Sequence, residues 1–247
     1  MITAYHRPQT LDEALTLLTQ PNRIPLGGGT LLSKPTTDPV EAVDLQALGL
    51  DSIKKSGNNL EIGATVTLQQ LLESEHCPAA LTSALKLEAP LNIRNTATVA
   101  GTLVSGDGRS TFASVLFALD AKLDIRLSAE ESQVSTVGEY FPIRPRGLIT
   151  SVSIPLNTKL AFDYVSRTPA DKPIVCAALA QWNSGRTRLV LGGYGKNPLL
   201  AMDGTEAEGV DAAARNAFHE ATDEYASAEY RMQVAATLSK RCLESIK

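Results

Sequence analysis

The sequence predicts an α+β chain in two units that divide near residue 158, and three observations carry that reading. Up to Pro155, stretches of period-two alternation are interleaved with amphipathic helical stretches. Beyond it, strand-like stretches come first and helices rich in Ala, Glu, Arg and Leu come last, the order of a separate α+β unit. The length of 247 residues can hold one or two cores, and 43% apolar with 20% charged residues is an ordinary globular balance.

The first helix is expected over Thr10 to Leu18. Thr10 suits the N-cap, Glu13 completes a capping box, and Leu11, Leu15 and Leu18 share one face. Arg23-Ile24-Pro25-Leu26 is a short apolar approach to Gly27-Gly28-Gly29-Thr30. Pro35 to Pro39 reads as turn and Ala42 to Leu45 as strand. Leu60 to Ala64 alternates as a strand after the turn Gly57-Asn58-Asn59. Leu68 to Leu72 starts a helix capped by Thr67, and Leu81 to Leu87 is a helix that ends near Pro90. Residues 93–102 are small and lack a helical period, which predicts a loop and a short strand. Thr111 to Ala121 is a strongly apolar helix, and Lys122 to Ser128 and Leu148 to Ile154 are strands, the second closed by Pro155. In the second unit, Leu160 to Val165, Ile174 to Trp182 and Thr187 to Gly192 predict three strands, with turns at Thr168 to Lys172 and Asn183-Ser184-Gly185. From Ala207 two or three helices follow; the last, about Ala228 to Glu244, puts Tyr230, Val234, Leu238 and Cys242 on one side.

A formal charge of −4 argues against a nucleic-acid surface, which needs a basic patch. No apolar run approaches the roughly 18 residues of a membrane span. Met1 to Pro8 lacks the basic-then-apolar pattern of a secretory leader, so a cytoplasmic protein is expected. Cys77, Cys176 and Cys242 are widely spaced, and three thiols cannot supply a four-cysteine iron–sulfur cluster. His6, His76 and His219 are scattered, so no metal site is expected.

Two segments have the composition of a ligand grip. Gly27-Gly28-Gly29-Thr30 lets the backbone turn tightly and bring several N–H donors to a diphosphate, and it equally suits a plain surface turn. It matches neither the dinucleotide fingerprint nor a P-loop. Asn95-Thr96-Ala97-Thr98-Val99-Ala100-Gly101-Thr102 permits close backbone approach and offers two hydroxyls, Thr98 and Thr102. Spacing alone favours a tight chain crossing inside the core. Tyr194 suits either a stack on an aromatic ligand or an ordinary turn, and Tyr230-Arg231 reads as a packing tyrosine beside a solvent-facing arginine.

Taken in order, these segments resemble a known family. Tyr5-x-x-Pro8-x-Thr10-Leu11-x-Glu13-Ala14-Leu15 is similar to the opening of the flavin (medium) subunit of the xanthine dehydrogenase and carbon monoxide dehydrogenase family of molybdenum hydroxylases. Gly28-Gly29-Thr30 resembles the family's A-G-G-T-D-L loop, and Ile93-Arg94-Asn95-x-Ala97-Thr98-Val99-x-Gly101 its I-R-N-x-A-T-x-G-G-N signature. Leu60-x-Ile62-Gly63-Ala64-x-Val66-Thr67, Ala118-Leu119-Asp120-Ala121, Arg167-x-x-x-Asp171, Leu191-Gly192-Gly193 and Ser227-Ala228-x-Tyr230-Arg231 follow in register, so the resemblance covers nearly the whole chain.

The resemblance implies an FAD-binding domain of the PCMH type over 1–158, with lobes of about 1–55 and 56–158. A C-terminal α+β domain over 159–247, of a three-stranded antiparallel sheet and a helical bundle, would follow. Pro25, Leu26, Gly27, Gly28, Gly29, Thr30 and Leu31, with Ala97, Thr98, Val99, Gly101 and Thr102, would hold FAD. Thr111 stands at the family's acidic position, and Leu148 and Ile149 match positions near the flavin and adenine. Binding would be non-covalent, since neither loop has a histidine or cysteine. The implied function is electron transfer from iron–sulfur centres to an external acceptor. Molybdopterin would sit in a large partner subunit and 2Fe-2S centres in a small one, in a dimer of heterotrimers. No residue here is expected to act as acid, base or nucleophile.

The family pattern is broken in several places. Leu31 replaces a polar residue, Ala100 and Thr102 stand where Gly and Asn are usual, Gly106 to Thr111 replaces A-S-P-x-x-D, and Asp163 stands where some relatives carry a lysine near the isoalloxazine. Asp107 and Arg109 are candidates to compensate, or plain loop charges. These breaks keep an alternative open, a flavin-free scaffold subunit of the same fold. A free-standing flavin oxidase is disfavoured, because the chain after residue 158 is short for a substrate domain and offers no catalytic cluster.

Overall fold

The structure is a computed structural model that describes residues 1–34 and 37–247. Pro35 and Thr36, within the turn expected at 35–39, lie outside the described residues.

The first lobe holds β1 (Ile2–His6), α1 (Leu11–Leu18), β2 (Arg23–Leu26) and β3 (Val40–Asp44). The strands form a parallel sheet in the order β1-β3-β2. The Thr10 hydroxyl accepts the Glu13 N–H as expected, but the Glu13 carboxylate closes on the Gln9 N–H, one residue before the cap. Ala14 and Leu15 of α1 pack with Val43, Leu45 and, from far along the chain, Leu148.

The second lobe runs β4 (Ile53–Ser56), β5 (Asn59–Gly63), α2 (Leu68–Glu73), α3 (Ala79–Glu88), α4 (Leu91–Arg94), α5 (Val99–Ser105), α6 (Thr111–Ala118), β6 (Lys122–Arg126), β7 (Ser132–Thr136), α7 (Val137–Ile143) and β8 (Leu148–Pro155). Its strands form an antiparallel sheet in the order β4-β5-β8-β6-β7. Ser56 pairs with Asn59, so Gly57 and Asn58 make a two-residue hairpin, and Gly57 takes the positive φ of 59° that such turns need. Residues 93–102 depart from the expected loop and strand. They close α4 and open α5, and the extended conformation survives only as an isolated bridge between Thr67 and Thr98. The stretch is too short and too poor in large side chains to show a helical period, and the Thr98 cap starts the helix.

The third unit holds β9 (Thr158–Val165), β10 (Val175–Trp182), β11 (Thr187–Gly192), β12 (Leu199–Gly204), α8 (Val210–Ala217) and α9 (Ala228–Ser245). The antiparallel sheet, in the order β12-β11-β10-β9, adds a fourth strand to the three expected, and two helices cover it. Side chains on β10 alternate between two cores. Ala177 and Leu179 face α8 and α9 with Leu238 and Cys242, while Ala178 and Ala180 join the core of the second lobe. That sharing explains the apolar character of α6, all of whose residues are buried. The helix is wedged between lobe and sheet, so it has no solvent face to make polar.

Candidate cofactor cleft

A parallel strand delivers the first glycine loop. β2 ends at Leu26, whose carbonyl accepts the Leu45 N–H at 3.0 Å, and the chain then leaves the carboxyl end of the sheet. Such sheet ends are where ligands of open α/β layers bind. Backbone contact with the second segment fixes the loop there. A Cβ on Gly28 would lie 1.6 Å from the Thr96 carbonyl oxygen, and one on Gly27 2.7 Å from the Thr98 hydroxyl. Gly29 has φ of 71°, where a side chain is strained. Across the cleft, Thr98 caps α5 and accepts the Gly101 N–H at 3.2 Å, and a Cβ on Gly101 would lie 2.8 Å from that same hydroxyl. Pro25 to Leu32 line one wall, Thr98 and Gly101 the other, around about 70 Å³. A site that swallows a whole ligand has about 300 Å³ or more, so the cleft has room to grip part of a large one.

The two segments differ in the donors they present. Among the described residues, the N–H groups of Gly27, Gly28, Gly29, Thr30, Leu31 and Leu32 donate to no protein acceptor. The second segment is occupied internally. Ala97 N–H donates to Ile93 O, Val99 to Val66 O, Ala100 to Ala64 O and Thr102 to Thr98 O. The first loop therefore donates and the second shapes. Among the described residues no ionisable side chain lines the cleft, so its attraction for an anion comes from successive backbone dipoles.

The description of the family model that matches residues 1–157 is the FAD-binding domain in molybdopterin dehydrogenase. The chain belongs to this family. It is 25% identical over 278 residues to the carbon monoxide dehydrogenase medium chain of Afipia carboxidovorans, covering 98% of this chain and 96% of that one. It is 26% identical to the xanthine dehydrogenase FAD-binding subunit of Escherichia coli O157:H7, over 97% and 94% of the two chains. It is 29% identical to YgfM of E. coli K12, over 96% and 94%. A crystal structure of a Cu,Mo-CO dehydrogenase covers the whole chain with a TM-score of 0.81 at 26% identity. Quinoline 2-oxidoreductase from Pseudomonas putida 86 shares the fold, with a TM-score of 0.81 at 21% identity. The recognition made from the motifs and the α+β class thus both hold, and the chain is of the oxidoreductase-subunit type.

Several residues singled out in the sequence sit elsewhere. Thr111 is buried, and its hydroxyl donates to Ala84 O at 2.7 Å and to Glu88 Oε2 at 3.1 Å. The Glu88 carboxylate also accepts from Ser110 Oγ and Phe112 N, so Thr111 ties α6 to α3 and does not line the cleft. The side chains of Leu148 and Ile149 are packed in the cores of the first and second lobes, which leaves only their backbone to offer a ligand. Leu31 lines the cleft mouth, 52% exposed. Asp163 lies on β9 with Ala161, on the side facing α9, where Arg241 approaches it at 3.8 Å. The loop at 106–110 is a staple between units: Gly108 N–H donates to Gly195 O and Gly193 N–H to Gly108 O. Arg109 donates to Lys172 O and Pro173 O, so neither Asp107 nor Arg109 compensates in the cleft.

Tyr194 packs on the helical layer, with its hydroxyl at Glu220 O and the Arg231 guanidinium over its ring. The expected roles of Tyr230 and Arg231 are reversed. Tyr230 is exposed, while Arg231 is fully buried, paired with Asp223 at 2.7 Å and bonded to the carbonyls of Ile174, Ala221 and Ala226. Sequence reading overlooked Leu32 and Arg144. Arg144 has φ of 42° and clamps the end of α5 through Val104 O, Gly106 O and the Asn197 side chain. A lone arginine after a helix carries no pattern that would have marked it.

Proposed function

We propose that this chain binds FAD non-covalently and serves as the electron-transfer subunit of a molybdenum hydroxylase, passing electrons from a partner's iron–sulfur centres to an external acceptor. The observation that carries the reading is the run of six N–H groups from Gly27 to Leu32 that meet no acceptor among the described residues, held open by the backbone contact at Gly28. These donors suit a diphosphate, whose oxygens accept several hydrogen bonds at once. The residues present fit the group even though Leu31 and Thr111 add no polar contact, because main-chain donors do not depend on side-chain identity. Gly27, Gly28, Gly29, Thr30 and Leu31 bind the diphosphate. Thr98 and Gly101 form the opposite wall, Ala97, Val99 and Thr102 fix its shape, and Pro25 and Leu26 position the loop on the sheet. A bound flavin supplies exchange between one-electron and two-electron carriers.

The division into an FAD-binding domain over 1–158 and a C-terminal domain over 159–247 is part of this reading; it lies one residue inside β9, next to the two-residue link from β8. Molybdopterin and 2Fe-2S subunits are the partners it assigns, supported by the medium-chain relatives, in a dimer of heterotrimers. A cytoplasmic location fits the buried free thiols of Cys176 and Cys242. No helix among the described residues is long and apolar enough to cross a membrane.

The test is an absorption spectrum of the purified chain, before and after FAD addition and gel filtration. Flavin bands that stay with the protein at about one per chain support the proposal. A folded but colourless chain that remains so when co-expressed with its partner subunits overturns it and leaves the flavin-free scaffold.

A further inference from the structure

A second cavity, of about 290 Å³, lies at the seam between the 106–110 loop and the C-terminal unit. Arg109 comes from that loop, Arg167 and Lys172 from the β9–β10 connection, and Tyr225 from the approach to α9, so the cavity exists only in the assembled fold. The guanidiniums of Arg109 and Arg167 lie 4.1 and 5.7 Å from the centre of the Tyr225 ring. Both are held by main-chain oxygens: Arg109 donates to Lys172 O at 2.9 Å and Pro173 O at 3.2 Å, and Arg167 to Tyr225 O at 3.2 Å. Neither forms an ion pair among the described residues. Lys172 meets Asp107 at 3.5 Å, where both side chains are about half exposed and the attraction is weak. Asp171 is the carboxylate in the wall, so three cations face one anion, on a chain whose overall charge is negative.

We infer that this cavity is a binding site for a small oxyanion-bearing molecule, held by Arg167 and Lys172 with Arg109 behind them and Tyr225 as the apolar floor. The guanidiniums are already fixed by backbone carbonyls, so ordering them costs a ligand little, and their planar forks match phosphate or carboxylate oxygens. An anion here would also strengthen the seam, because it would link the loop of the FAD-binding domain to the C-terminal unit. The inference is independent of FAD binding: the cavity shares no lining residue with the glycine cleft.

The experiment is residue-resolved ¹H–¹⁵N spectroscopy of the full chain, titrated with inorganic phosphate and, separately, with citrate. The expected result is saturable shifts at 107–109, 167–174 and 225, with affinity lowered about tenfold or more in both Arg167→Gln and Lys172→Gln, the scale of one charge-assisted hydrogen bond. Saturation by phosphate alone identifies a phosphorylated ligand class, by citrate alone a carboxylated one, and by both the shared oxyanion chemistry. Absence of saturable shifts at millimolar anion overturns the inference, as do shifts confined to 27–32. Equal affinity in every variant that keeps the native spectrum also overturns it.

Discussion

Gly28→Ala tests the cofactor reading at its narrowest point. The added methyl would sit 1.6 Å from Thr96 O, 2.5 Å from Thr96 C and 3.1 Å from Ala97 N, against an ordinary contact of at least 3.4 Å. All three atoms are backbone, and Ala97 N–H is itself bonded to Ile93 O at 2.7 Å, so the second segment cannot yield cheaply. The first loop must move away, which costs about 1–3 kcal/mol of stability as local overpacking. The larger effect falls on FAD, because the free N–H groups of 27–32 are aligned by this contact. Misaligning two bonds to a charged diphosphate, each worth about 1.5–3 kcal/mol, weakens binding by roughly 10²–10⁴-fold. Affinity is read by equilibrium dialysis against FAD, and stability by urea unfolding. Gly49→Ala is the control. Its φ of 68° strains an alanine, but a Cβ there meets nothing within 4 Å and the residue does not line the cleft, so stability falls while FAD affinity stays. Wild-type FAD affinity in a folded Gly28→Ala protein would refute the assignment of the diphosphate to the first loop.

Three further outcomes follow from the packing. Thr111→Ala removes a buried hydroxyl from the Glu88 cluster and should cost about 1–3 kcal/mol in urea unfolding while leaving FAD affinity unchanged; a selective loss of FAD would return Thr111 to the site. Arg231→Met strands the Ile174 and Ala221 carbonyls and leaves Asp223 without its cation, for a loss of about 3–5 kcal/mol, whereas Tyr230→Ala on the exposed face should lie within about 1 kcal/mol of wild type. The paired bonds from Arg186 hold the Asp203 carboxyl below the ordinary carboxylate value of 3.8, with Arg188 adding to the effect. The folded value is the lower one, so this stabilisation is complete above the unfolded value and fades as pH falls through the folded one. The urea-midpoint difference between wild type and Asp203→Asn should therefore shrink as pH drops below about 4; a difference that stays constant from neutral to strongly acid pH would contradict the pairing.

Much of the chain was legible because local rules govern it. Caps at Thr10 and Thr67 mark helix starts through their own hydroxyls, and the alternation at Leu60 to Gly63 marks a strand through its own burial. Short edge strands such as Ser132–Thr136, mostly exposed, bury too little to leave a pattern, and this is why β7 was not expected. The residues at 93–102 were misread for a related reason. They are small because another loop presses on them, and small residues carry neither periodicity.

By itself, the sequence determined most of the capped helices and alternating strands, the position of both glycine-bearing segments and the family, since each is written in a contiguous run. Only the tertiary structure decided which segment donates. The carbonyls of Ala64 and Val66, far upstream, occupy the amides of Ala100 and Val99 in the second loop, and no acceptor among the described residues occupies those of the first. It also decided that Arg231 is buried and Tyr230 exposed, because the carbonyls of Ile174, Ala221 and Ala226 converge on a guanidinium whose neighbours in sequence give no sign of them. A chain fixes its local conformations through adjacent groups. It satisfies its buried polar groups through distant ones, and that accounting becomes visible only once the units are packed.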